Sequence, residues 1–414
     1  DSRMLQTSTM KVLDSSPSIH SVSKFTCRSR RIHQLCSEVV IVSEQTPIYL
    51  DFNASTPIAP SVAAAMQPLL TQHFGNPSSE HWAGRPAHES IENARKQIAS
   101  LLKCNTDEIV LTSGGSESNN HVIKGVVLGA ASPPHLIISA VEHPAITQPC
   151  SMMNRLGAEV SLISVDRYGL VDPDDVRRAI RPETALISVM HANNEVGTIQ
   201  PIAVIARIAR EHGILCHTDA AQSVGKISTY VDELDVDLLS LAGHKLYGPK
   251  GIGALYIRRG VTLPPLIQGG GHEQGQRAGT ESALLATGLG AACLLAETDS
   301  RGEHIGSLRD RFWHGLTARL GDRVVLNGHP TERLPNTLSV SFPSLVGDEI
   351  LQQLPGVAAS TGSACHTGRR SSSPVLAAMG LPANVGLGTI RFSLGRSTTK
   401  AEIDSVVDQV ATCI

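Results

Sequence analysis

From Pro47 onward, short apolar runs alternate with stretches in which apolar residues recur every three or four positions. Val62, Ala65, Met66, Leu69 and Leu70 follow Pro60 at helical spacing, and Ile91, Ala94, Ile98, Leu101 and Leu102 form a second such stripe. Between the helical stretches stand compact runs: Glu108–Thr112, His135–Ser139, Ala185–Met190, Ile214–His217, Leu238–Leu241 and Ile252–Ile257. Ile202, Ile205, Ile208 and Ala209 line one more helix, which should stop at Gly213. Strands that alternate with helices predict an α/β fold with a mainly parallel sheet covered on both faces. Beyond about residue 300 the pattern changes to a helix over Leu308–Leu320, hairpin-like strands and a last helix, which predicts a second α/β domain.

Composition fits that reading. Of 414 residues, 41% are hydrophobic and 18% charged, as expected of a globular chain. Only 3% are aromatic, so the core should rest on aliphatic side chains. A net charge of −3 gives no electrostatic reason to expect a nucleic acid or membrane partner. No apolar run reaches the roughly 18 residues that suggest a membrane span. The eight cysteines form no C-x-x-C pair and suit a reducing compartment, and no metal site is expected. Residues 1–46 differ from the rest, being rich in Ser, Thr and basic residues and poor in acids. They read as a disordered extension or a targeting peptide. A cytoplasmic location is expected, or an organellar one (mitochondrion or plastid) if the extension is a transit peptide.

The chemistry concentrates at strand ends. Asp219 closes one apolar run and Lys245 follows another, where open α/β sheets place their ligands. Pyridoxal phosphate chemistry needs such a pair: an amine for a Schiff base and an acid that keeps the pyridine nitrogen protonated. Thr112-Ser-Gly-Gly-Ser-Glu-Ser-Asn-Asn120 lies between a strand and a helix. It is either an anion-binding turn at a helix N-terminus or a plain cap. His143, again after a strand, is either structural or placed to stack on a flat ring and shuttle protons. Cys365 sits among small polar residues beside His366, Arg369 and Arg370, a setting that suits an exposed loop carrying a reactive thiolate. In Thr389–Arg396, strand alternation puts Arg391 where it can clamp a carboxylate.

Taken together, these motifs resemble the cysteine desulfurase and selenocysteine lyase family. That family belongs to the class V aminotransferase group of fold-type-I pyridoxal phosphate enzymes. The resemblance runs in order over about residues 47–412 and includes Leu50–Pro57, Phe74–Ser79, His191–Gly197, Gly243–Pro249, Gly269–Glu273, Arg277–Thr280 and Ser363–Cys365. It implies a large domain, 59–300, with a mainly parallel seven-stranded sheet. A small domain, 47–58 and 301–414, should carry the catalytic cysteine loop. It implies that Lys245 holds the cofactor as a Schiff base, Asp219 pairs with the pyridine nitrogen, and Gln222 bonds the ring oxygen. His143 should stack on the ring and assist proton transfer, and Gly115, Ser116 and His244 should bind the phosphate. Thr280 should reach the neighbouring subunit's phosphate, which implies a homodimer. Asn193 and Arg391 should orient the substrate, L-cysteine or L-selenocysteine. Cys365 should take up its sulfur or selenium, leaving L-alanine, before an acceptor protein receives it. Ala242 lacks the hydroxyl that many desulfurases have there, and with Ala364–His366 and Ser373–Leu376 it tilts the expectation slightly towards selenocysteine lyase. Pro144 instead points to a cysteine desulfurase supplying persulfide sulfur for iron–sulfur cluster or thio-cofactor synthesis. Two remoter readings are a pyridoxal phosphate aminotransferase and a non-catalytic chalcogen carrier.

Overall fold

A computed structural model describes residues 47–299, 301–366 and 369–414, the side chains of 363–371 excepted. The extension over 1–46 lies outside the described residues.

Seven strands build the main sheet: β1 (Ile109–Thr112), β2 (His135–Ser139), β3 (Glu159–Ile163), β4 (Thr184–Ser188), β5 (Leu215–Asp219), β6 (Leu238–Ala242) and β7 (Gly253–Ile257). Their order is β1-β7-β6-β5-β4-β2-β3. Only β7 runs against its two neighbours. The other pairings are parallel, as the strand–helix alternation requires. Both faces are covered, and the pleat divides each strand between two cores. Ile109, Leu111, Ile137, Leu239 and Tyr256 face helices Arg85–Leu102, Ile202–Glu211 and Ala283–Glu297. Val110, Leu136, Ile138, Leu238 and Leu255 face helices Gly115–Gly129 and Pro144–Arg155. The expected strands recur with ends moved by a residue or two.

β3 was not foreseen: it is an edge strand with Leu162 exposed, so its apolar pattern is weak. Helix Ala283–Glu297 is apolar nearly all round, which hides its period. In helix Pro60–Thr71 the apolar stripe read from the sequence faces inward: Val62 is buried, Ala65, Met66 and Leu69 are half-buried with Met66 against the core, and Leu70 is exposed.

A second sheet contains β8 (Val325–Leu326), β9 (Thr337–Ser341), β10 (Ser360–Thr361) and β13 (Thr389–Ser393) in the order β10-β13-β9-β8. Its core combines Phe312, Phe342, Phe392 and Val406 with Ile48 and Leu50 from the start of the described chain. Ile48–Tyr49 pairs in parallel with Val357–Ala358, which brings the Asp51–Ser55 turn beside the main sheet's strand ends. Cys365 lies on β11 (Ser363–His366), paired in antiparallel register with β12 (Arg369–Ser372). The backbone around Cys365 is thus strand-paired where a loop was expected, in a region expected to hold hairpin-like strands. Among the described residues, no helix is long and apolar enough to cross a membrane.

Candidate active site

The carboxyl ends of β5 and β6 open into a cavity of about 570 Å³. Asp219, the last residue of β5, is buried on its wall. Its Oδ2 accepts from Asn119 Nδ2 at 2.6 Å and its Oδ1 from the backbone of Ala221 at 2.9 Å. β6 ends at Ala242 and passes into a single tight turn, Gly243–Lys245, which delivers Lys245 to the same cavity. The Lys245 amine donates to the carbonyls of Asn53 and Ala54 at 2.6 and 2.9 Å. Burial, then Arg391, push its pKa down to about 8, against the pull of Asp219 and Asp51. Such an amine is poised between a charged and a nucleophilic form near neutral pH.

β1 leads through Ser113-Gly114 into helix Gly115–Gly129, whose first residues line the opposite wall. Gly114 has φ 147°, and a side chain on Gly253 would meet Gly114 Cα at 2.7 Å, so the turn packs tightly against β7. Gly115, Ser116 and the helix's free N–H groups therefore face the cavity. Glu117 also lines this end, but it is paired with Arg277 at 3.0 Å. His244 faces the cavity beside Lys245, with its pKa pushed down to about 4 by burial and by Lys245 and Lys250.

His143 caps helix Pro144–Arg155, its Nδ1 accepting from Ala145 N at 3.1 Å, and its ring is open to the cavity. Desolvation lowers its pKa and Lys245 adds to this, while Asp219 opposes it. Gln222 and Arg391 complete the wall. Arg391 reaches in from β13, donating to Asn194 O at 2.9 Å, Asp51 Oδ1 at 2.8 Å and Ser360 Oγ at 3.0 Å. Its Nε is buried and unpartnered.

Nine of the residues singled out from the sequence thus meet in one place: Gly115, Ser116, His143, Asp219, Gln222, His244, Lys245 and Arg391, with Ala242 at the expected gap in the wall. Asn193 is not on the wall. It is fully buried, with Nδ2 donating to Val141 O and Oδ1 accepting from the backbones of Glu195 and Val196. Its neighbour Asn194 lines the cavity instead. Thr280 is exposed and stands apart from the cavity-lining residues. The thiol of Cys365 and the side chains of His366, Arg369 and Arg370 lie outside the described residues.

Sequence reading missed the supporting shell. Asn119 buttresses Asp219, and its position four residues after Gly115 on one helix was an available signal. Asp51 and Asn53 fall within the Leu50–Pro57 motif, but nothing in their own neighbourhood showed that they would meet Arg391 and Lys245.

The donor set fits pyridoxal 5'-phosphate. Asp219 offers a buried carboxylate for a pyridinium, Lys245 an amine of lowered pKa for the aldehyde, and the helix N-terminus a seat for a phosphate. Gly115, whose added Cβ would stand 3.5 Å from Ala242 Cβ, keeps that seat open.

Comparison with known proteins agrees. The family model "Aminotransferase class-V" matches residues 48–406. The chain is 48% identical over 366 residues to the cysteine desulfurase IscS of Dictyoglomus turgidum, covering 87% of this chain and 93% of that protein. A solved NifS-like protein superposes with a TM-score of 0.82 at 33% identity, covering 89% of this chain and 99% of its own. A structure described as SspA in complex with cysteine gives 0.75 at 38% identity, covering 84% and 98%. The chain belongs to the class-V aminotransferase family and is a pyridoxal phosphate-dependent enzyme.

Proposed function

We propose that this protein is a cysteine desulfurase that moves the sulfur of L-cysteine onto Cys365 and releases L-alanine. The observation that carries the reading is the convergence of Lys245, Asp219 and Arg391 on one cavity, in a chain 48% identical to a cysteine desulfurase. The slight lean towards selenocysteine lyase gives way. Ala242 removes one hydroxyl from the phosphate end, but Ser116 and the helix N–H groups remain there.

In this reading Lys245 holds the cofactor, Asp219 faces its ring nitrogen, Gln222 its ring oxygen and His143 its face. Gly115, Ser116 and His244 take the phosphate. When bound, the cofactor supplies an electron sink for bonds broken next to the substrate's amino group. Asp219 keeps the ring nitrogen protonated by charge. Lys245, near the midpoint of its titration at pH 8, takes and returns the Cα proton. His143, its pKa lowered mainly by desolvation, accepts a proton at the same cavity. Arg391, which lines the cavity, offers the substrate carboxylate its guanidinium, and Asn193 supports this indirectly by shaping the turn that bears Asn194. The Cys365 thiolate attacks the substrate sulfur. An S–S bond forms as the C–S bond breaks, and the released electron pair ends, with a proton, on the β carbon of alanine.

The reading includes a homodimer, in which Thr280 serves the second copy's phosphate, and a protein that accepts the persulfide sulfur. Exposed Leu70, Phe74 and Trp82, the last two 75% and 79% accessible, support pairing with a second copy. It also includes a large domain, 59–300, and a small one, 47–58 with 301–414, a division supported by the separate cores around the two sheets.

Side-by-side assays of alanine formation from L-cysteine and L-selenocysteine test the proposal. Wild type should use L-cysteine and Cys365→Ala should lose that activity. Equal rates in the two would refute the desulfurase mechanism. Turnover of L-selenocysteine alone would restore selenocysteine lyase.

A further inference from the structure

Lys226 has no part in the chemistry above and does not line the cavity, yet its amine reaches Gln222, which does. It donates to Gln222 Oε1 at 2.9 Å and, more weakly, to Asn53 Oδ1 at 3.4 Å. No carboxylate bonds to it among the described residues. Desolvation, then Lys245 and Arg391, push its pKa down to about 7. Placing an amine there is costly, and a neutral side chain of similar length would fill the same space without that cost.

We propose that Lys226 is a positioning residue for the cofactor, fixing the Gln222 amide so that its NH2 end, not its oxygen, faces the ring oxygen. The two ends of a glutamine amide are nearly alike in shape, so hydrogen bonds alone decide which way it points. As an ammonium Lys226 has only donors to offer and demands Oε1, and in either form its N–H can donate there. Asn53 O can only accept, and it takes Gln222 Nε2 at 3.0 Å. That carbonyl also serves the Lys245 amine at 2.6 Å, so the hold on the NH2 end is shared. Asn53 itself cannot turn, because Asn336 Nδ2 donates to its Oδ1 at 3.0 Å and its own Nδ2 donates to Thr337 Oγ1 at 2.8 Å. With one N–H on Asn53 O, the second N–H of Gln222 is free for the cavity. Without Lys226, Oε1 would be a buried acceptor lacking a donor, and rotation towards the cavity would relieve it.

The inference rests on the proposed contact between Gln222 and the ring oxygen, so the experiment tests both. The readout is the midpoint of the pH titration of the bound cofactor's visible absorbance in the holoenzyme. Gln222→Leu should shift that midpoint. Lys226→Met should shift it in the same direction by about half a unit or more, the scale of one lost hydrogen bond. The double variant should match Gln222→Leu alone. Lys226→Gln, which keeps a donor but no charge, should stay nearer wild type than Lys226→Met, and it serves as the test if the Met variant does not fold. An unmoved midpoint in Gln222→Leu would overturn the cofactor contact itself. Fully additive shifts in the double variant, no shift in Lys226→Met, or equal shifts in the Met and Gln variants would overturn only the positioning role.

Discussion

Glu273→Ala should be among the most damaging substitutions that leave every cavity-lining residue in place. Glu273 is buried and accepts two bonds from Arg95, Nη1 at 2.8 Å and Nη2 at 2.9 Å, while its Oε2 also accepts from Leu111 N at 2.8 Å. Arg95 is buried too, so removing the carboxylate leaves a cation with Ile109 O and the half-exposed Glu92 as its remaining partners. Breaking a buried pair from one side costs about 3–5 kcal/mol. The backbone supplies an independent scale. Glu273 and Gln274 are held at φ 47° and 58°, in the left-handed region, at about 1–2 kcal/mol each. The pair must outweigh roughly 2–4 kcal/mol of strain to keep this turn, a range consistent with the first figure. Urea unfolding at fixed protein concentration, followed by circular dichroism, should show a lower midpoint at unchanged slope. Arg95→Met combined with Glu273→Leu should lose less than the two single changes summed, by about 2–3 kcal/mol. Loss below about 1 kcal/mol in Glu273→Ala, or single effects that add to within about 0.5 kcal/mol, would refute the reasoning.

Asp219→Asn keeps the shape of the site but removes its charge, so turnover should fall at least about 100-fold with cofactor still bound, and near-normal steady-state rates would show that the ring nitrogen does not depend on it. Capture of pyridoxal phosphate by the apoenzyme needs a neutral Lys245 amine. Its lowered pKa means that the stopped-flow capture rate should rise with pH and level off above about 8, whereas a rise continuing to pH 10 would show an ordinary lysine. Mixed dimers of Lys245→Ala and Thr280→Ala should regain activity, since both defects can fall in one of two shared sites, and no recovery despite confirmed subunit exchange would argue against sharing. Glu142, pushed up to about 8 mainly by burial, accepts from Met190 N at 2.8 Å, so Glu142→Gln should change the melting temperature little, whereas Glu142→Ala should cost about 1–3 kcal/mol by orphaning that donor.

The sequence by itself determined the α/β alternation, because apolar period is a local property that survives without knowledge of neighbours. It also pointed to Asp219 and Lys245, since a strand end is visible wherever an apolar run stops at a polar residue. Cys365 stood out for the same kind of reason, its small polar surroundings being written in adjacent positions. β3 escaped because an edge strand has one exposed side and so a diluted pattern. Helix Ala283–Glu297 escaped because it packs on several sides and has no polar face to set the period. Tertiary structure alone brought Asp51 to Arg391, 340 positions away, and Asn53 to Gln222 and Lys245, 169 and 192 positions away. It also withdrew Asn193 from the cavity, spending its amide on a turn. Polar contacts of this kind are set by hydrogen-bonding demand in a shared interior, and a side chain's own neighbours in sequence carry no record of which distant donor or acceptor will meet it.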